Sequence, residues 1–421
     1  MHIRKIRRPR TAATLGLVAL GLSAGAAATD PAPPFAVLLA QARDTAPRLA
    51  EARADIARAE GLARQAAVIP NPTIGLEIEN FSGSGPFSGT GLTETTATIQ
   101  QPLELGGKRS ARIAAGRAEV DAARARVRRT RLEFTFDLAN AYAAAEAADE
   151  RLELARESLS QAREDARIAT ALVNAGREAE LRRLQAQAAV QAAQAGVDEA
   201  FATRATAFAS LTALAGSPTP LTSVVASLLE TPGAIPGADV KPEAAAAAAL
   251  FAAQAEAAAA QRRLSLERRQ AVPNLTVSVG MRRFEEQDAT ALVAGISAPL
   301  PLFDRNRGNI AAAQADVSAA QARAAAARFD AEAAVRSSTA RITAAESRLT
   351  AAREGEGTAR EAYRLARVGY EAGKLPLVEL VNARRALTDA RNQTIAAAVE
   401  RIAASAALAR LGGAAAPGEA Q

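Results

Sequence analysis

Hydrophobic positions along this chain follow two different periods, and the change from one to the other happens twice. Residues 73–81, TIGLEIENF, put Ile74, Leu76 and Ile78 on one side and Thr73, Glu77 and Glu79 on the other. That is the two-residue period of a half-exposed β-strand. Beyond a glycine-serine loop at 82–91, residues 92–101 predict a weaker partner strand. The alternation returns at Leu275, Val277, Val279 and Met281, opposed by Thr276, Ser278 and Arg282, and again at Leu292, Ala294 and Ile296 on a return strand over 290–299. Each strand has about nine to eleven residues, the length that crosses a bilayer as a tilted β-strand, although a half-buried hairpin in water would alternate in the same way.

After each strand pair the period lengthens. From Ile113 the positions Val120, Val127, Phe134, Ala141, Ala148, Ala155, Ala162 and Ala169 recur every seven residues, with Leu138, Leu152, Leu159, Ala166 and Val173 four places on. This is a heptad seam. No proline interrupts the stretch from Lys108 to Asn174, so at 1.5 Å per residue the helix reaches roughly 100 Å. A second long helix runs from about Asn306 to Tyr370 on a poorer seam, and Gly176 and Gly373 mark where each chain segment turns back. An opening helix is expected from about Pro34 to Val68, stopped by Pro70 and Pro72.

The two halves align with one another. An offset of 197 pairs Pro102 with Pro299, Leu105 with Leu302, Ile113 with Ile310, Val120 with Val317 and Gly176 with Gly373. Upstream, VIPNPTIGLEI matches AVPNLTVSVGM at an offset of 203, which leaves about six extra residues in the first copy. Internal similarity of this kind marks two copies of one structural unit. The expected organisation is a first repeat over 29–216, with a β-hairpin at 73–101 and a helical hairpin at 107–215. A proline-rich connector, 217–242, with one short helix leads to a second repeat over 243–413, with a β-hairpin at 274–299 and a helical hairpin at 304–411. A tail at 414–421 is expected to be disordered.

Where strand gives way to helix the chain needs special residues. Pro102 and Pro299 cannot donate to a sheet ladder or continue a helix. Gly106 and Gly107 supply backbone freedom at the first junction, and Asp304 is the expected helix cap at the second. Lys108 and Arg109, like Arg305 and Arg307, form a charged knot suited to a membrane–water boundary.

Composition changes the picture in two places. Residues 1–28 have a basic start, an apolar stretch of about a dozen residues and Ala26, Ala27 and Ala28 at the end, the pattern of a cleaved secretory signal peptide. The whole chain carries a formal charge of +6, but Arg4, Lys5, Arg7, Arg8 and Arg10 lie in that segment. Without these five, 46 basic residues face 45 acidic ones, which removes the basis for a nucleic-acid partner. Aromatics are only 3% and alanine dominates, as expected of long helices packed closely through small side chains.

Candidate chemistry is sparse. The chain has no cysteine, its one histidine is His2, and Met281 is the only methionine beyond the signal. Soft metal ligands are therefore almost absent beyond the signal and the usual general base is missing there, and neither a metal site nor a cofactor is expected. GLSAG at 21–25 fits a nucleophile-elbow pattern but lies in the signal, and GGKRS at 106–110 lacks the hydroxyl residue directly after lysine that a phosphate loop needs. An enzyme is not expected.

Four strands cannot close a membrane barrel, because an open edge in hydrocarbon leaves backbone groups unsatisfied and small barrels need about eight strands. Two copies would give eight strands around a plugged interior; three would give twelve and room for a pore. With its paired IPNPTIGLEI and VPNLTVSVG strands, PLPLFDRNRG junction and RVGYEAGKLPLVELVNARRAL turn, the chain resembles the TolC-like outer-membrane efflux proteins. PLPLFDRNRGNI is most similar to the branch that serves metal-exporting resistance-nodulation-division pumps. The resemblance implies an α+β fold in which helical hairpins form a trans-periplasmic tube and four strands per chain join a twelve-strand barrel. It also implies a homotrimer in the outer membrane that meets a periplasmic adaptor and an inner-membrane pump. Acidic side chains constrict the periplasmic entrance in that family; matching the pattern puts Glu379 on one acidic position and Asn382, a departure, on the other. The adaptor-contact tips match Asn174, Ala175, Gly176 and Arg177, and Gly373 with Lys374. The competing expectations are a drug-efflux or type I secretion conduit and, from another class, a soluble periplasmic coiled-coil adaptor or scaffold.

Overall fold

The computed structural model describes residues 30–236, 247–372 and 374–412. The expected signal segment, Pro242, Gly373 and the 414–421 tail lie outside the described residues. The chain runs through β1 (Asp30–Ala32), α1 (Phe35–Thr45), α2 (Pro47–Ala66), β2 (Thr73–Glu79), β3 (Glu94–Leu103), α3 (Lys108–Asn174), α4 (Glu180–Ala215) and β4 (Leu221–Val224). It continues through α5 (Ala247–Gln270), β5 (Leu275–Phe284), β6 (Ala289–Ser297), α6 (Arg307–Glu371) and α7 (Leu377–Gly412).

Two parts of this order differ from the sequence expectation. The opening segment is two helices, because Pro47 begins α2 and forces Ala46 into an extended conformation (φ −67°, ψ 122°). The connector is also more than a linker with a short helix: it contributes β4, which pairs in parallel with β1, and a 3₁₀ turn at Pro232–Ala234. Leu228, Leu229 and Ile235 from this stretch are buried in the main core.

That core gathers the middle of α3 with α1, the end of α4, the connector and α7. Phe134, Leu138 and Tyr142 of α3 are fully buried. The Tyr142 ring meets Phe35 edge-on at 5.9 Å, and its hydroxyl lies 2.9 Å from the Ala226 carbonyl oxygen. Glu146, one turn further on, is also buried. Its carboxylate accepts the backbone N–H of Leu228 at 2.9 Å and of Leu229 at 3.2 Å, which supplies the partners that a buried charge requires. Burial and the Glu146 charge push the Tyr142 phenol up to about 12.

The other end of α3 carries the sheet. Its four antiparallel strands lie in the order β2-β3-β5-β6. Beneath them α2 packs on α3, α3 on α5 and α5 on α6, so the helix layer repeats the strand order. Both layers therefore end on the same flanks, β2 with α2 on one side and β6 with α6 on the other. In the opposite direction α3 and α4 form one helical hairpin and α6 and α7 a second, and α7 also packs along α3.

Candidate functional site

The sheet has two chemically distinct faces. Strand register sets Ile74, Ile99, Val279 and Ala294 in one row and Leu76, Ala97, Met281 and Leu292 in the next, crossing all four strands. These side chains are presented outward: Ile74 is 83% exposed and Leu292 82%. The opposite face is polar. Arg282 donates from Nε to Thr96 Oγ1 at 2.9 Å and from Nη1 to Glu94 at 2.9 Å, and stands 3.2 Å from Glu79 as an ion pair. An apolar band of this breadth, left open by the chain, marks a surface made for lipid or a partner.

At the first junction β3 runs through Pro102, which pairs with Thr276, so the strand ends two residues later than expected. Proline is tolerated there because the last β2 partner, Thr73, lies opposite Gln100 and leaves β3 flanked only by β5. The break falls at Gly106 and Gly107, whose φ values of 68° and 73° are left-handed. A Cβ on Gly106 would come within 2.9 Å of the Val272 side chain, so any larger residue would have to displace Val272, just beyond α5. Lys108 Nζ donates to Asn274 Oδ1 at 2.6 Å. Arg109 donates to the Ala67 carbonyl, and Arg112 to Ala66 at 2.6 Å and Val68 at 2.7 Å. These two guanidinium groups satisfy the orphan carbonyls at the C-terminus of α2.

The second junction is built differently. Pro299 follows β6 in an irregular stretch, and Asp304 is not the helix cap. Asn306 occupies that position with φ 57°, while Asp304 Oδ1 accepts its backbone N–H at 2.9 Å. Asp304 therefore holds the turn before the helix, because its short side chain reaches an N–H two residues on. Asn306 in turn donates to Glu267 at 2.8 Å. Leu300, Leu302 and Phe303 are left exposed, Phe303 at 99%.

The far ends of the hairpins close by the same device. Asn174 is the last residue of α3 and Ala175 its C-cap. Gly176 (φ 70°) donates to Val173 at 2.9 Å and Arg177 to Leu172 at 2.9 Å, the paired bonds of a Schellman motif. Lys374 donates to Gly369 at 2.8 Å, the corresponding outer bond of the second tip. Glu379 stands in the first turn of α7, where a carboxylate complements the helix dipole. It is exposed, as is Asn382 one turn on, while Leu380 between them is buried. Glu379 has no ion pair among the described residues.

One cluster near the tips was not foreseen. Arg384 of α7 pairs with Asp165 of α3, both largely buried, and Arg391 one heptad later pairs with Glu157 at 2.5 Å. Burial pushes the Asp165 carboxyl above the usual aspartate range even beside Arg384. Burial, followed by the charges of Asp165 and Glu178, also raises the Tyr370 phenol. The signal was present as two arginines one heptad apart facing acids about two turns apart beside the α3 seam, but nothing local said that α7 lies against α3. Among the described residues no three His, Cys, Asp or Glu side chains converge as a metal-ligand set, and no helix is long and apolar enough to cross a membrane.

Residues 38–217 and 243–414 each match the family described as Outer membrane efflux protein. This chain belongs to that family. The nickel-cobalt-cadmium resistance protein NccC of Alcaligenes xylosoxydans xylosoxydans is 40% identical over 408 residues, which cover 97% of this chain and 92% of that protein. The nickel and cobalt resistance protein CnrC of Cupriavidus metallidurans is 42% identical over 282 residues, 67% of each chain. Among solved structures, CusC superposes with a TM-score of 0.73 at 17% identity over 90% of this chain and 92% of its own, and its structures concern folding and transmembrane channel formation. That likeness establishes the fold. The chain is an outer-membrane efflux channel component, as its family membership and its match to NccC over nearly the whole of both chains require.

Proposed function

We propose that three copies of this chain, each built from two repeats, close a twelve-strand barrel in the outer membrane. Their helical hairpins then form a tunnel across the periplasm, the passive exit duct of a tripartite system with a periplasmic adaptor and an inner-membrane pump. The observation that carries this reading is the four-stranded sheet, with an apolar band across every strand, a polar opposite face and both edges unpaired among the described residues. Such a sheet is stable in hydrocarbon only when copies of itself satisfy its edges. A soluble adaptor would leave that band in water.

Metal cations are the proposed cargo, because the relatives NccC, matched over nearly the whole chain, and CnrC, matched over two thirds of it, are named for nickel, cobalt and cadmium resistance. Selection belongs to the pump, since beyond the expected signal the chain has no cysteine or histidine and a single methionine, Met281. The tips at Asn174, Ala175, Gly176 and Arg177, and at Gly373 and Lys374, are the proposed adaptor contacts. Glu379 is the proposed acidic position at the periplasmic entrance, repeated by symmetry as a cation-attracting ring, with Asn382 as its uncharged neighbour.

Fractionation of cells expressing the protein tests the reading: extraction only by detergent, as a trimer by native mass, is expected, and recovery as a monomer from a salt wash would overturn it. In planar bilayers Glu379→Gln is expected to lower cation preference by roughly twofold or more, and an unchanged reversal potential would remove Glu379 from the entrance.

A further inference from the structure

The two strand-to-helix junctions occupy matching places in the two halves, yet the turn that neighbouring residues cover at the first stands exposed at Phe303 in the second. At the first, Gly106 lies against Val272 at the end of α5 and Lys108 bonds Asn274. Arg269 reaches over the same turn to donate to the Gly106 carbonyl at 2.7 Å. The offset that aligns the junctions carries Leu105, Gly106 and Lys108 onto Leu302, Phe303 and Arg305. The offset that aligns the segments before the strands carries Arg269, Val272 and Asn274 back onto Ala66, Ile69 and Asn71. Within one chain these two sets sit on opposite flanks, one beside β6 and α6, the other between α2 and β2. Phe303 is 99% exposed and Ile69 58%.

We infer that Phe303 of one copy seats against Ile69 of the next, with Arg305 directed at Asn71, so that the contact made inside each chain is made again between chains. The size changes match across it. Where the internal contact joins a glycine to a long arginine, the external one joins a phenylalanine to Ala66, so bulk lost on one side is restored on the other. The flanks also meet at one level, because β2 begins and β6 ends at the helix side of the sheet. A contact between two different patches propagates head to tail, and closes as a ring when its rotation is a whole fraction of a turn, as three copies require. The inference rests on the barrel reading and names the surface that closes it.

The chain contains no cysteine, so introduced thiols are the only ones present. Ile69→Cys with Phe303→Cys, treated in membranes with a short bis-maleimide, is expected to give covalent dimers and trimers, while either single variant gives neither. Asn71→Cys with Arg305→Cys is a second pair that leaves the apolar contact intact. If both double variants stay uncrosslinked in a protein that is trimeric by native mass, the contact is refuted and the barrel reading survives; a monomeric wild-type protein overturns both. Phe303→Ala is expected to lower the temperature at which the trimer dissociates in mild detergent, and an unchanged temperature counts against the contact.

Discussion

The core around Tyr142 and the four-stranded sheet are joined by one helix, about 50 Å apart along α3, and they handle apolar surface in opposite ways. The core buries Phe134, Leu138 and Tyr142 within a single chain and even encloses a carboxylate, Glu146, by giving it two backbone donors. The sheet turns Ile74, Leu76, Met281 and Leu292 outward and, among the described residues, leaves its edges unpaired. A chain can thus complete one part of its fold alone and leave another to its surroundings. The first part is stabilised by its own packing; the second, on the proposed reading, by hydrocarbon and by further copies.

Substitutions can break that comparison at either end. Phe134→Ala, which opens a cavity in the core, is expected to cost about 3–5 kcal/mol, read as a lower midpoint of helix loss in detergent, with strand signals following. Leu76→Arg places a charge on the apolar band and is expected to cost about 2–4 kcal/mol near the middle of a bilayer. Its effect should vanish for the protein held in detergent and appear in the yield of membrane insertion; equal loss in both settings would mean that the sheet is packed against protein.

The smallest expected effect concerns Glu150, on the α3 turn after Glu146. Burial first, then the charges of Glu146 and Glu230, holds its carboxyl above the usual glutamate range. The folded chain keeps that proton to higher pH than the unfolded chain does, so stability from this group falls as pH rises through the window between the two values. Glu150→Gln, fixed in the uncharged state, is expected to raise the melting temperature slightly at neutral pH and leave it unchanged below the window. Melts across a pH series check this, and a slope identical to wild type would show the carboxylate to be fully hydrated.

Legibility in the sequence followed the same division. The period-two segments located β2, β3, β5 and β6 within about two residues, and the heptad line through Val120, Val127 and Phe134 is a buried line of α3. Asp304 was misread because an aspartate before a helix serves equally as a cap or as the brace of a preceding turn, and only the positive φ of Asn306 separates the two. The connector was misread because its prolines hide a stretch whose leucines are buried by helices distant in sequence.

Periodicity and proline placement by themselves determined the long helices, the four alternating strands and the points where one becomes the other, because each is set by backbone geometry within a few residues. Tertiary structure alone decided that Glu146 is held by the connector, that Arg384 lies against Asp165, and that β2 and β6 with α2 and α6 form the two open flanks. Those outcomes depend on which distant surfaces meet, and no local pattern carries that information.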